Sequence, residues 1–348
     1  MGARMIPRFL LVFSLWLPLL AGSLPAAGPV KLIFDTDITG DVDDVLALAM
    51  CHALADRGAC ELLGVTVSKD HPKTASFVDA QNTFHGRPDL PVGVVRDPAA
   101  QKRESKYLSL ADSPDYPHDL KRNEDARDAV ELLRELLAGE EDGSVVIVSV
   151  GIASNLANLL KSRGDARSPL DGVALVRAKV KRLSIMAGAF AFANGTNYHL
   201  EANVINGIAY MQTVALTWPL EVPVVWSGFE IGENLPFPRR SVAEDFAYRE
   251  PHLVREAYLL HSGPEHDRPC WDQSSVLYAV YPDRGYFGLS APGRVTVGDD
   301  GFTRFIPEGR NGSPIRRDRF LTMTPLQQSR ALEAIVQLTV SPPRREVD

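Results

Sequence analysis

The run from Lys31 to Met50, KLIFDTDITGDVDDVLALAM, changes character twice within twenty residues. It opens as a short apolar stretch of strand type, passes through Asp35, Asp37, Asp41, Asp43 and Asp44, and continues as apolar, helix-patterned chain. A strand that turns directly into a helix is half of a βαβ unit, so this run fixes the layer architecture around it. Five carboxylates in that turn repel one another and stay ionised together only if something offsets their charge. A hard divalent cation with oxygen ligands does so. An Asp at a helix start also caps free backbone N–H groups. Capping accounts for one acid or two, Asp41 or Asp43, and leaves the rest.

The remainder of the chain continues the alternation. Apolar runs at Val30–Phe34, Glu61–Val67, Val92–Val95, Val145–Val150, Arg182–Ala187 and Val222–Trp226 are candidate strands. Candidate helices begin near Asp43, Thr74, Glu124, Ser154, Glu201, Ala243, Asp272 and Thr324. Continuous apolar strands between helices mark a parallel sheet buried on both faces. The expected fold is therefore α/β, a doubly wound and mostly parallel sheet with helices on both faces, which binds ligands outside the carboxyl ends of its strands. Two alternating runs flank Gly298-Asp-Asp-Gly301 and predict a small β-hairpin near the C-terminus. One domain is expected over residues 28–341, with a disordered tail at 342–348.

Residues 1–27 stand apart. Arg4 and Arg8 flank the apolar stretch Phe9–Leu20, and small residues follow at Ala21, Gly22, Ser23, Ala26 and Ala27. This is the pattern of a cleaved secretory signal, too short to span a bilayer, which needs roughly 20 apolar residues. A secreted or periplasmic product with no stable membrane insertion is expected. Removing the segment takes away two arginines and no acid, so the net charge moves from −7 to −9. An acidic product with no long basic run is a poor nucleic-acid binder. Cys51, Cys60 and Cys270 are too few for a disulfide framework, and their spacing is not that of a zinc site. Whether Cys51 and Cys60 pair is open.

Two families place acids at a strand end in this way. Phe34-Asp35-Thr-Asp37-Ile-Thr39 resembles the first motif of the haloacid-dehalogenase-like phosphatases, which would make Asp35 a nucleophile and Mg²⁺ the metal. Ser149 and Asp299-Asp300 are their only downstream counterparts, and no lysine sits in a third motif.

The inosine–uridine-preferring nucleoside hydrolases match at more points. Their opening strand-DTD-loop-DD pattern resembles Asp35-Thr-Asp37, Gly40 and Asp43-Asp44, with a loop two residues longer than the commonest form. Gly151-Ile-Ala-Ser-Asn-Leu-Ala157 resembles the family's Gly-Pro-Leu-Thr-Asn-Leu-Ala turn. Met186-Ala-Gly-Ala189, Glu201-Ala-Asn203 and Trp271-Asp272 follow in the family's order. Each motif is weak alone; as an ordered set over residues 30 to 280 they are specific.

The resemblance implies one Ca²⁺ held by Asp37, Asp44, Asp272 and the backbone carbonyl of Ser154, an all-oxygen shell suited to that ion. It implies that Asp37 is the general base for a water at the ion, which attacks C1′ of a ribonucleoside through an oxocarbenium-like transition state. Asp43, Glu201 and Asn203 would hold ribose hydroxyls, Asn194 or Asn197 the 5′-hydroxyl, and Met186 would pack against the sugar. Homodimers or homotetramers are usual in the family.

The chain departs from the family at two places. The His that often precedes the late Asp is Trp271 here. Trp271 either stacks on the base, which favours a purine, or packs at a helix start. His71, His85 and His199 are spare acid candidates. The Asn that usually ends the second strand is replaced within Ser68-Lys69-Asp70. Asp70 is the first positional equivalent, with Lys69 or Ser68 the alternatives under a shifted register. A non-catalytic nucleoside or sugar receptor on the same scaffold is a third reading, because fold does not fix function.

Overall fold

A computed structural model describes residues 1–2, 28–97, 104–191, 200–310 and 316–344. Residues 3–27, which hold the expected signal, together with Asn194, Asn197, His199 and the last four residues, lie outside that set. No helix among the described residues is long and apolar enough to cross a membrane.

The strands are β1 (Val30–Thr36), β2 (Cys60–Val67), β3 (Val92–Val94), β4 (Arg127–Asp128), β5 (Val145–Ser149), β6 (Val180–Met186) and β7 (Val224–Ser227). The second half adds β8 (Pro236–Phe237), β9 (Arg268–Pro269), β10 (Gly288–Leu289), β11 (Gly293–Val297), β12 (Thr303–Pro307) and β13 (Asp318–Thr322). The main sheet runs β12-β11-β13-β7-β6-β5-β1-β2-β3-β4. Every pair from β13 through β7 to β4 is parallel, and β11 and β12 add an antiparallel edge. The sheet is thus doubly wound and mostly parallel, and the expected hairpin is its rim.

The strand order reverses at β1. The chain proceeds outward through β2 and β3 on one side, and returns to the other side of β1 as β5 before continuing to β6 and β7. The helices that follow β1 and β5 therefore leave in opposite directions and open a crevice at the carboxyl ends of these two strands.

β1 shows how each face is filled. Leu32 and Phe34 belong to one core and Ile33 to the other, as the two-residue period of a strand requires. The first core is closed by α1 (Asp43–Asp56), α2 (Thr74–Phe84), α10 (Leu253–Ser262), α11 (Trp271–Val280) and α12 (Pro325–Thr339). The second is closed by α3 (Ala129–Gly139), α4 (Ser154–Lys161), α5 (Gly172–Lys179) and α7 (Ile208–Thr217). Three short helices, α6 (Ala202–Ile205), α8 (Phe229–Glu233) and α9 (Arg239–Glu244), rim the sheet.

Some boundaries differ from expectation. The helix expected from Glu124 is a single tight turn at Asn123–Asp125, and α3 begins at Ala129, where Asp128 accepts from Glu131 N–H at 2.9 Å. The segment expected to start a helix at Ala243 instead ends α9, and α10 starts anew after Pro251, whose missing N–H cannot continue a helix. The three cysteines are free and buried. In the C-terminal segment, the Arg344 N–H donates to Asp56 at 3.0 Å.

Where α1, α2 and α10 meet, His52 and His85 stack with centroids 4.5 Å apart, and His252 sits edge-on to Phe84 at 4.7 Å. Burial holds all three neutral, pushing His85 down to about 4, His252 to about 3 and His52 well below its ordinary value. In the unfolded chain they take up protons near pH ~6.5. Their contribution to stability is therefore complete above that pH and is lost as the pH falls toward the folded values, by up to about 1.4 kcal/mol per group per pH unit. Urea unfolding between pH 7 and 5 is expected to show falling stability, and His85→Gln a shallower slope. An unchanged slope in the variant would show that another group carries the dependence.

Candidate active site

The crevice at the β1/β5 switch point holds a cavity of about 340 Å³, lined by residues from both halves of the chain. Asp37, Asp41, Asp43 and Asp44 enter from the β1–α1 turn, Val150 from the end of β5, Met186 from the end of β6, Glu201 and Asn203 from the start of α6, and Trp271 and Asp272 from the start of α11.

Asp35 is the foundation of this arrangement. In the parallel register it lies between Thr66 of β2 and Ser149 of β5, so the three side chains share one face of the sheet. Its carboxylate accepts from Thr66 Oγ1 at 2.7 Å, Ser149 Oγ at 2.9 Å and Asn155 Nδ2 at 2.8 Å. Burial pushes its carboxyl up to about 6, against those three hydrogen bonds. It is fully buried and does not line the cavity, so it is not placed as a nucleophile, and Ser149 spends its hydroxyl on it. Asp299 and Asp300, the late acids of a phosphatase, bond instead to Gln212 and Arg304 at the hairpin.

Beyond Asp35 the chain is pinned on both sides. Val150 N–H donates to the Asp35 carbonyl at 2.8 Å and Ser68 N–H to the Thr36 carbonyl at 2.8 Å. Gly151 lies so close to the turn that a Cβ there would fall 2.4 Å from Asp37 N. Only a glycine lets the β5 end approach this far.

Within the turn the acids separate. Asp41 accepts from Arg268 through both carboxylate oxygens, and Tyr107 donates its hydroxyl to the Asp41 carbonyl. Burial pushes the Asp41 carboxyl up, but Arg268 brings it below the usual carboxylate range. Asp41 thus ties the loop to β9, and its contact with Val42 N–H at 2.6 Å is the local part of that role. Thr36 donates to Asp44. Asp43, Asp44 and Asp272 are buried, and each can offer an oxygen within 4.8 Å of the others. Burial pushes all three carboxyls well above the usual range, and repulsion from neighbouring acids, Asp37 and Asp41 among them, adds to it. No hydrogen bond reaches the Asp272 carboxylate from any described residue. A buried, unpartnered carboxylate facing two others fits an oxygen-coordinated divalent cation.

The two other expected ligands, Asp37 and Ser154, have side-chain partners within the protein. The Asp37 carboxylate lines the cavity but is turned to the ammonium of Lys69, with which it forms an ion pair. Ser154 begins α4, and its hydroxyl donates to the Ser68 carbonyl at 3.0 Å. The residue that lines the cavity there is Val150, whose carbonyl accepts from Asn203 Nδ2 at 2.8 Å.

The sugar-side candidates converge. Glu201 caps α6, accepting from Asn203 N–H at 2.7 Å and Val204 N–H at 3.1 Å, and also from Gly188 N–H at 3.0 Å. Burial raises its carboxyl to about 7, against those bonds. Asn203 is buried, with its amide also 3.1 Å from the Met186 carbonyl and 3.3 Å from Met186 Sδ. Glu201 is therefore a helix cap and a cavity wall at once, and Asn203 is no surface amide.

Trp271 both lines the cavity and packs. Its ring lies 5.2 Å from that of Phe229, its Nε1 donates to the Phe229 carbonyl at 3.0 Å, and the Arg268 guanidinium lies 5.0 Å from its ring centre. Asp70 does not line the cavity, whereas its neighbour Lys69 does. Of the spare histidines, His71 and His85 are not at the cavity, and His199 and Asn194 lie outside the described residues. Val150, Phe229 and Arg268 were not foreseen. Phe229 and Arg268 sit in segments without a motif, and only the three-dimensional approach of α8 and β9 brings them in.

Residues 32–297 match the model of the inosine-uridine preferring nucleoside hydrolase family. Among solved structures, a plant nucleoside hydrolase is 18% identical with a TM-score of 0.67, covering 90% of this chain and 100% of its own. The inosine-uridine preferring nucleoside hydrolase of Bacillus anthracis is 16% identical with a TM-score of 0.66, covering 89% and 99%. The purine-preferring ribonucleoside hydrolase of Gardnerella vaginalis is 18% identical with a TM-score of 0.64, covering 89% and 99%. No curated protein matches significantly in sequence.

Asp35→Ala would leave three buried donors without an acceptor, and a loss of about 3 kcal/mol is expected in denaturant unfolding. A variant as stable as the parent would remove Asp35 from its structural place. The fold, the ordered motifs and the family match agree, and the chain belongs to the inosine-uridine preferring nucleoside hydrolase family, whose members act on N-glycosyl bonds.

Proposed function

We propose that this protein hydrolyses the N-glycosidic bond of ribonucleosides to ribose and free base, with Ca²⁺ as its ion. The observation that carries the reading is the convergence of Asp37, Asp43, Asp44, Glu201, Asn203, Trp271 and Asp272 on one cavity of nucleoside size. Asp43, Asp44 and Asp272, with Asp37 beside them, would hold the ion. Bound there, calcium would lower the pKa of water and orient ribose hydroxyls.

The chain's own residues supply the rest. Asp37 accepts the proton of the attacking water as its oxygen bonds to C1′ and the C1′–N bond breaks. Asp43, Glu201 and Asn203 hold the ribose hydroxyls, and Met186 packs against the sugar. The carboxylates around C1′ stabilise the positive charge that develops there. Trp271 and Phe229 provide the aromatic walls on which a leaving base stacks, an arrangement that favours the larger face of a purine. No histidine lines the cavity among the described residues. The leader at residues 1–27 supports export to a secreted or periplasmic location, and the family supports a homo-oligomer.

Released base and reducing sugar from a panel of purine and pyrimidine nucleosides test the reading. Turnover is expected to require calcium, to stop with chelator, and to be faster with purines. Asp37→Ala is expected to lower kcat by about a hundredfold to ten-thousandfold. Full turnover by Asp272→Ala would overturn the assignment. Nucleoside binding without base release would make the protein a receptor.

A further inference from the structure

Among the described residues, the cavity lining carries six carboxylates, Asp37, Asp41, Asp43, Asp44, Glu201 and Asp272, and two cationic side chains, Lys69 and Arg268. Arg268 is committed to Asp41 at the rim. Lys69 is the cation that faces the interior acids. It is 2% exposed, a degree of burial that a lysine reaches only with a partner. Its partner is Asp37, the acid at the end of the DTD motif.

The backbone beneath Lys69 has little freedom. Ser68 continues the β1–β2 ladder through its N–H to the Thr36 carbonyl, and its own carbonyl accepts from Ser154 Oγ. The residue after Ser68 therefore projects from the carboxyl edge of the sheet into the cavity, on a stem held at its root. The consequence is visible in the acids. Asp43, Asp44 and Asp272 face one another, while the Asp37 carboxylate turns to the ammonium.

We propose that Lys69 is a resident counter-cation of this site, which stabilises the ion-free protein and opposes divalent-ion binding by competing for Asp37. The proposal rests on the calcium reading above. A divalent ion that recruits Asp37 must break or share the Lys69 ion pair and accept a positive charge as neighbour. Without the ion, the same ammonium is the interior charge that offsets crowded carboxylates. Lys69 thus sets the affinity of the site for its ion and acts through Asp37, as a positioning residue.

The test uses the full chain and calcium alone. Lys69→Met keeps the stem and removes the charge, whereas Lys69→Arg keeps the charge. Calorimetric titration is expected to show calcium binding Lys69→Met at least about tenfold more tightly than the parent, with Lys69→Arg close to the parent. Thermal unfolding is expected to reverse sign: Lys69→Met melts below the parent in chelator, and at or above it in saturating calcium. Unfolding of Lys69→Met in chelator with recovery in calcium supports the proposal equally. Equal calcium affinity of the parent and Lys69→Met overturns the proposal and leaves the calcium reading standing. An equal loss of melting temperature in chelator and in calcium assigns Lys69 a merely structural part and overturns it too. Absence of calcium binding in both proteins overturns the calcium reading and this proposal together.

Discussion

The site depends on a carboxylate placed to hold the scaffold rather than to meet a ligand. Asp35 is joined to β2 through Thr66, to β5 through Ser149 and to α4 through Asn155, so one buried acid ties three elements to the end of β1. These are the elements that diverge at the switch point. A doubly wound sheet opens a crevice there because its helices leave in opposite directions, and an open crevice tends to splay. Three hydrogen bonds converging below the opening hold its walls at fixed separation. Gly151 then allows the β5 end to press against Asp37 without a side chain between them. The turn that carries Asp37 to Asp44 is positioned from below before any ion is considered.

Above that base the main problem is charge. Burial and the repulsion of neighbouring carboxylates raise Asp43, Asp44 and Asp272, so the fully ionised cluster is unfavourable without a cation. The structure spreads the cost. Asp41 is drawn outward to Arg268, Asp37 sideways to Lys69, and Glu201 is satisfied by three backbone N–H groups. What remains is a compact trio whose third member, Asp272, arrives from α11 on the other side of the sheet's midpoint. The acids that looked alike in sequence therefore sit in four settings: tying strands, anchoring a loop, facing a lysine and facing one another.

Much of this was legible in the chain. The central strands stand out because burial on both faces makes them continuous apolar runs, and α1 starts at Asp43 as its pattern predicts. Elements at the periphery were harder. β13 is a five-residue strand that pairs in parallel with β7 at Val224–Trp226, and its own sequence, DRFLT, carries no strong pattern. α10 follows Pro251, a break that separates it from the short α9 ahead of it. The site was readable where a motif kept its order, and misread where one residue of register decided the outcome. Successive residues at a strand end point to opposite sides, so the extension of the β2 ladder through Ser68 turns Lys69 inward rather than Asp70.

The start of α11 couples the acid trio to the aromatic wall of the cavity. Trp271 and Asp272 are consecutive helical residues and so project about 100° apart, one toward Phe229 and the other toward Asp43 and Asp44. The helix is fixed by the Trp271 Nε1 bond to the Phe229 carbonyl and by Gly232, where a Cβ would fall 2.3 Å from Trp271 Cδ1. Rotating α11 to admit a different base would swing Asp272 out of the trio, and moving Asp272 would tilt the aromatic wall. The Phe229 side chain, by contrast, belongs to α8, which carries no member of the acid trio, so it can change without moving those acids.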